Sequence, residues 1–120
     1  MPKTILIVDD SRVSRMMIKA LLHDLSPGWQ VLEAADAEEA LKLTDTHKPD
    51  AFSLDFNMPG MDGLQLAQEI KSKVSSAKIA LFTANIQKAI QEKGEQVGVS
   101  FIPKPVTEDS IRVLVEQVCG

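Results

Sequence analysis

The chain has few of the residues that mark secreted, zinc-binding or nucleic-acid-binding proteins. Cys119 is its one cysteine, so no internal disulfide can form, and two histidines are too few for a typical zinc cluster. The formal net charge of −4 leaves no basic surface for nucleic acid. No apolar run is long enough for a signal peptide or a membrane span. We therefore expect a cytoplasmic chain that contacts neither nucleic acid nor membrane.

The 120 residues, 44% of them hydrophobic, are enough to bury one core, and we predict a single domain over residues 1–120. Short apolar runs bounded by turn formers alternate with segments of helical periodicity. This alternation predicts an α/β fold, a doubly wound parallel sheet of five strands with five helices. The predicted strands are Ile5–Val8, Trp29–Leu32, Ala51–Leu54, Lys78–Phe82 and Val99–Pro103.

Capping residues and apolar stripes define the predicted helices. Ser11, Asp36, Asp62 and Thr107 each precede a helical pattern as an N-cap. We expect Gly98 to end the fourth helix, and Gly94 within that helix lowers its helix propensity. We expect core packing from the apolar residues of the first helix (Val13, Met16, Met17, Ala20, Leu21, Leu25) and the stripe of the fourth (Ile86, Ala89, Ile90, Lys93, Val97).

Polar side chains follow four of the predicted strands. Asp9 and Asp10 follow the first, Asp55 the third, Thr83 the fourth and Lys104 the fifth. The carboxyl ends of parallel strands meet at one edge of a sheet, which brings these groups together. Clustered carboxylates raise a pKa or recruit a cation, and magnesium prefers such hard oxygen ligands. Lysine and threonine side chains suit phosphate oxygens.

Together these residues resemble the motifs of bacterial response-regulator receiver domains, the CheY-like family, over the whole chain. The matching segments are Val8-Asp9-Asp10, Leu54-Asp55, Met58-Pro59-Gly60-Met61-Asp62-Gly63, Thr83-Ala84 and Lys104-Pro105. The resemblance implies a flavodoxin-like sheet of strand order 2-1-3-4-5. It also implies a phosphorylation-activated switch of a two-component phosphorelay, in chemotaxis or a similar pathway. The implied chemistry is self-phosphorylation and self-dephosphorylation, so we do not expect an enzyme acting on other substrates.

The resemblance also implies a role for each site residue. Asp55 accepts a phosphoryl group from a histidine kinase or phosphotransfer protein, and Lys104, beside a cis Lys104–Pro105 bond, pairs with the carboxylate or phosphate. Thr83 and Phe101 form the switch pair, with phenylalanine where many relatives carry tyrosine. Mg²⁺ is held by Asp10 and Asp55, by the backbone carbonyl of Asn57 and, through water, by Asp9. Asn85 lies beside the path of the attacking water and sets the dephosphorylation rate.

Two other functions share part of this pattern. A magnesium-dependent phosphatase of the haloacid-dehalogenase type also uses an aspartate nucleophile, but it needs an acid where this chain has Asn57. A flavin mononucleotide carrier needs a phosphate cradle after the first strand, where Asp9 and Asp10 repel phosphate. We rank the phosphatase second and the flavin carrier third.

Output is expected from a surface of this domain, since the final helix runs to Gly120. The fourth helix, fifth strand and fifth helix adjoin Thr83 and Phe101 and carry a mixed polar face typical of transient contacts. We expect a target protein, or a second copy of this chain, to bind there. The residues of this face are Gln87, Gln91, Glu95, Arg112 and Glu116.

Overall fold

The computed structural model describes residues 3–84 and 87–119, the last of these through its backbone only. The strands are β1 Thr4–Val8, β2 Gln30–Ala34, β3 Ala51–Asp55, β4 Lys78–Thr83 and β5 Val99–Pro103. The helices are α1 Arg12–Leu25, α2 Ala37–His47, α3 Gly63–Lys73, α4 Lys88–Val97 and α5 Glu108–Leu114, which continues as a π-helical turn over Val115–Cys119. No helix in the described ranges has the length and apolar character needed to cross a membrane.

All strand pairs are parallel, and the sheet order is β2-β1-β3-β4-β5, which confirms the predicted fold class. Two apolar layers sandwich the sheet. Ile18 and Leu22 of α1 pack with Ile111 and Leu114 of α5 on one face, and α2, α3 and α4 cover the other. Each of the first four helices therefore joins two parallel strands, and every βα loop of the sheet opens at the same edge.

The predicted helix caps are confirmed. The side chain of Ser11 accepts from the Ser14 amide at 3.3 Å, and that of Asp36 accepts from the Glu39 amide at 2.8 Å. Asp62 and Thr107 each form a full capping box with the residue three positions on. These caps satisfy backbone donors at the helix starts, which explains why the helices begin where the sequence predicts.

The prediction for the buried face of α1 was wrong for four of its six residues, since Ala20 is exposed together with three residues of the N-terminal half. Val13, Met16 and Met17 are 67%, 59% and 45% exposed. The buried stripe contains Ile18 and Leu22 instead. At about 100° per residue, Met16 lies nearly opposite Ile18, so α1 has two apolar faces and periodicity alone could not choose between them.

Two smaller expectations also needed correction. The second strand begins one residue later and ends two residues later than predicted, at Gln30–Ala34. In α4, Ala89 and Lys93 are exposed, while Gly94 is buried and Ile90 and Val97 are partly buried. The predicted contribution of Ile86 lies outside the described residues.

Candidate functional site

Three carboxylates meet at the carboxyl edge of the sheet. Val8 pairs with Leu54 in the β1–β3 register, so Asp9 and Asp10 emerge beside Asp55. One oxygen from each of the three side chains lies within 4.8 Å of the others. Asp9 and Asp55 are buried, whereas Asp10 is exposed. The predicted acidic cluster is therefore present, with one open side.

Lys104 forms an ion pair with the carboxylate of Asp55. Its Nζ lies 2.6 Å from Asp55 Oδ1, and the Asn57 amide donates to the same oxygen at 3.3 Å. The Lys104 amide donates to the Thr83 carbonyl at 2.9 Å, which fixes the end of β5 against the end of β4. The Lys104–Pro105 peptide bond is cis, as expected.

Asp9 is held by its backbone and by its side chain. Its amide donates to the Ala34 carbonyl at 3.1 Å, and its Oδ1 accepts from the Ser11 amide at 2.8 Å. Arg15 Nη1 donates to the Asp9 carbonyl at 2.6 Å, and Arg15 Nε donates to Glu33 Oε1 at 3.3 Å. The guanidinium therefore bridges the first residue of the acidic loop and the end of β2.

Burial raises the pKa of the Asp9 carboxyl, and the nearby Asp55 and Asp10 charges raise it further. The hydrogen bond from Ser11 and the charge of Lys104 act in the opposite direction. Since desolvation dominates, holding Asp9 ionised costs free energy in this site, and a bound cation would offset that cost.

The donor set fits magnesium. All three side chains offer carboxylate oxygens, the hard ligands this ion prefers. Magnesium usually keeps several waters, and the exposed position of Asp10 leaves one side of the cluster open to solvent. The carboxylates of Asp9, Asp10 and Asp55 would hold such an ion.

Gly63 lets α3 begin close to the phosphoacceptor candidate. A Cβ on this residue would lie 2.6 Å from the Asp55 carbonyl oxygen and 2.9 Å from Phe56 Cα. The Gly63 amide donates to the Phe56 carbonyl at 2.9 Å. The loop between β3 and α3 therefore packs closely against the end of β3. The sequence motif contains the glycine but does not show that packing requires it.

Two further predicted residues, Thr83 and Phe101, lie on the β4–β5 side. Thr83 is buried at the end of β4, one residue past the Asp55–Phe82 pair of the register. Phe101 is partly buried and packs against the core layer covered by α2, α3 and α4, as do Ile90 and Val97 of α4. Asn85 lies outside the described residues, so its predicted role stays a prediction. Arg15 was not predicted, because the sequence does not distinguish it from the exposed Arg12 of the same helix.

An open five-stranded α/β sheet with an acidic cluster and a paired lysine at its carboxyl edge defines the class of this site. Residues 5–116 match the family model described as the response regulator receiver domain. The chain belongs to this family of two-component signalling domains. Such domains are phosphorylation switches rather than classical enzymes, and they interact with histidine kinases and downstream targets.

Relatives of two kinds match the chain. It is 38% identical over 114 residues to the chemotaxis protein CheY of Listeria monocytogenes, covering 94% of this chain and 95% of that protein. It is 32% identical over 117 residues to the transcriptional regulatory protein PdtaR of Mycobacterium tuberculosis, covering 96% of this chain and 56% of that protein. The chain thus spans only about half the length of some of the relatives it matches.

Solved structures agree. CheY4 of Vibrio cholerae matches with a TM-score of 0.87 at 26% identity, over 98% of this chain and 99% of that one. A chain of the CheX–CheY–BeF3–Mg²⁺ complex from Borrelia burgdorferi matches with a TM-score of 0.87 at 27% identity, over 100% of this chain and 91% of that one.

Proposed function

We propose that Asp55 accepts a phosphoryl group in a magnesium-dependent reaction and that the phosphorylated domain binds a partner protein. The observation that carries this proposal is the contact of 2.6 Å between Lys104 Nζ and Asp55 Oδ1 beside two further carboxylates. The Asp55 carboxylate could attack phosphorus, while the positive charges of Lys104 and of a cation at the acidic cluster would both stabilise the negatively charged phosphoryl oxygens.

The proposed reaction is a simple displacement at phosphorus. An Asp55 carboxylate oxygen forms a bond to phosphorus while the bond from phosphorus to the histidine nitrogen of the donor breaks, and that nitrogen keeps the electron pair. A magnesium ion held by Asp9, Asp10 and Asp55 would offset the negative charge that develops during the transfer. Lys104 then contacts the new phosphoryl oxygens, and hydrolysis of the acyl phosphate returns Asp55 and inorganic phosphate.

The phosphodonor docks on α1 in this proposal. This helix begins two residues past Asp10, and its exposed side chains include Val13, Met16 and Met17. Exposed apolar side chains grouped on one face favour a protein contact, and this face adjoins the edge that the donor histidine must reach.

The output face consists of α4, β5 and α5, as the sequence predicts. Its residues Gln91, Glu95, Arg112 and Glu116 are exposed. Thr83 moves toward the phosphoryl oxygens and changes the packing of Phe101, which passes the signal to α4. The partner is a target protein or a second copy of this chain. The proposed domain is residues 1–120.

Intact-mass measurement after incubation with acetyl phosphate and magnesium tests the proposal. The wild-type chain should gain one phosphoryl group, and neither Asp55→Asn nor the wild type with chelator should do so. An equal gain in Asp55→Asn would contradict the assignment of Asp55. Turnover of phosphomonoesters would favour the phosphatase alternative, which Asn57 disfavours because its amide cannot act as the second acid.

A further inference from the structure

The ring of Phe101 occupies the space where a side chain of α4 would otherwise lie. A Cβ built on Gly94 would be 2.5 Å from Phe101 Cζ and closer still to Cε2. It would also lie 3.1 Å from Val99 Cγ2. Real Cβ atoms do not approach this closely, so residue 94 and the ring compete for one volume. Gly94 is buried, whereas neighbouring Lys93 and Glu95 are exposed.

Near its two ends, α4 packs on the core through the partly buried side chains of Ile90 and Val97, but few other features of its described residues stabilise it. Its N-cap, Gln87, makes no side-chain capping bond, and the helix has neither an acidic first turn nor a basic last turn. Gly94 is its one buried residue. A glycine inside a helix also costs stability relative to alanine. The ring therefore contributes much of the packing that keeps the centre of α4 against β5.

We propose that Gly94 is a positioning residue of the switch, because its missing side chain forms a socket that seats the Phe101 ring under α4. This inference rests on the proposed function. While the ring is seated, α4 lies against β5. When the ring leaves, a cavity opens beneath Gly94 and the centre of α4 loses its packing. The position of the ring is thus coupled to the position of the helix that forms the output face.

The sign of one substitution separates this socket from an ordinary helix glycine. Gly94→Ala should raise the melting temperature if only helix propensity matters. With a socket, the added methyl group must displace either the ring or α4, so the melting temperature should fall. Removing the ring should restore the ordinary sign, since Phe101→Ala vacates the space.

The test is a thermal double-mutant cycle of wild type, Gly94→Ala, Phe101→Ala and the double variant, with aromatic NMR contacts of Phe101 recorded in parallel. Gly94→Ala should lower the melting temperature in the wild-type background and raise it beside Phe101→Ala, and it should remove the contacts between the ring and α4. Ala89→Gly, at an exposed site of the same helix, should be destabilising by the same amount in both backgrounds. A stabilising Gly94→Ala with the ring contacts retained would overturn the socket.

A second measurement separates this inference from the proposed function. Gly94→Ala should gain a phosphoryl group from acetyl phosphate to the wild-type extent, because the atoms nearest to a side chain at residue 94 belong to Phe101 and Val99 and not to the acidic cluster. Beryllofluoride with magnesium should shift α4 amide resonances in wild type and fail to do so in Gly94→Ala. Loss of phosphorylation in wild type as well would refute the proposed function and leave the stability cycle readable. Wild-type-like α4 shifts in Gly94→Ala would overturn the socket.

Discussion

The β1–β3 side and the β4–β5 side of the site differ in how many polar contacts fix their residues. On the β1–β3 side, the amide, carbonyl and carboxylate of Asp9 are all hydrogen bonded, and Asp55 is fixed by Lys104 and Asn57. On the β4–β5 side, α4 lacks a side-chain N-cap, and apart from the buried Gly94 it packs on the core only through the partly buried Ile90 and Val97. The residues proposed to receive the phosphoryl group are therefore held in place by hydrogen bonds and an ion pair, whereas the helix proposed to respond has fewer such contacts.

Thr83→Ala should break the link between the two sides and have the largest effect. We expect phosphorylation of Asp55 to persist, because the acidic cluster and Lys104 are untouched, while the phosphorylation-dependent NMR shifts around Phe101 disappear. Intact mass and amide spectra of the same sample measure both. Thr83→Ser, which keeps the hydroxyl, should retain the shifts. Wild-type shifts around Phe101 in Thr83→Ala would remove Thr83 from the switch.

Arg15→Lys should weaken magnesium binding at the acidic cluster of the β1–β3 side. Lysine keeps the charge but cannot contact the Asp9 carbonyl and Glu33 together as the guanidinium does. Loss of such outer-shell support commonly costs about tenfold in metal affinity, so the magnesium concentration for half-maximal phosphorylation should rise by that factor. The rate at saturating magnesium should be unchanged.

Arg12→Lys, at an exposed position of α1, is the matched control for Arg15 and should behave as wild type. A normal magnesium dependence in Arg15→Lys would mean that the acidic loop does not need the bridge to β2. The contacts that Lys104 and Asn57 make with Asp55 would then be the ones that distinguish the β1–β3 side from the β4–β5 side.

Asp9→Asn should show how much the ionised Asp9 carboxylate lowers the free energy of unfolding of the metal-free protein. Because the pKa of Asp9 lies above its ordinary value of 3.8, the folded state holds the proton more tightly than the unfolded chain. Stability should therefore fall as pH rises from 3.8 through the raised pKa. The neutral asparagine side chain avoids this loss and can still accept from Ser11, so metal-free Asp9→Asn should be the more stable protein at neutral pH.

Denaturant unfolding with chelator across this pH range measures the Asp9 effect. The advantage of Asp9→Asn should vanish at low pH, where the wild-type carboxyl is protonated. Added magnesium should reverse the order at neutral pH, since wild type gains more from binding. A difference independent of pH would show that charge is not its cause.

Ser53→Ala should have the smallest effect. Ser53 Oγ on β3 is the one buried side-chain polar atom without a hydrogen-bond partner among the described residues. Removing an unsatisfied hydroxyl should be neutral or stabilising by up to about 1 kcal/mol in thermal or denaturant unfolding. Ser110→Ala is the control: Ser110 Oγ accepts from the Thr107 amide at 2.7 Å, so its loss should be destabilising by about 1 kcal/mol. A clear loss of stability in Ser53→Ala would indicate a bound water at that hydroxyl.

The sequence predicted what depends on chain order and failed where packing decides. The meeting of Asp9, Asp10, Asp55 and Lys104 follows from parallel strands and short loops, the caps follow from local sequence, and the strand order was implied by the family resemblance. The exposure of Met16 did not follow, because both faces of α1 are apolar. Nor did the role of Gly94, which depends on where the Phe101 ring lies, a contact between separate elements. Arg15 remained hidden because its partners, a backbone carbonyl and Glu33, have no linear signature.

Gly63 has a consequence for how this chain tolerates change. It contributes no functional group, yet even a methyl group there would meet the Asp55 carbonyl at 2.6 Å and Phe56 Cα at 2.9 Å, both backbone atoms that cannot rotate away. In a survey of all single substitutions scored by signalling, position 63 would rank among the chemical residues in intolerance. A reader of that survey alone would assign it to the reaction, when its contribution is the absence of a side chain.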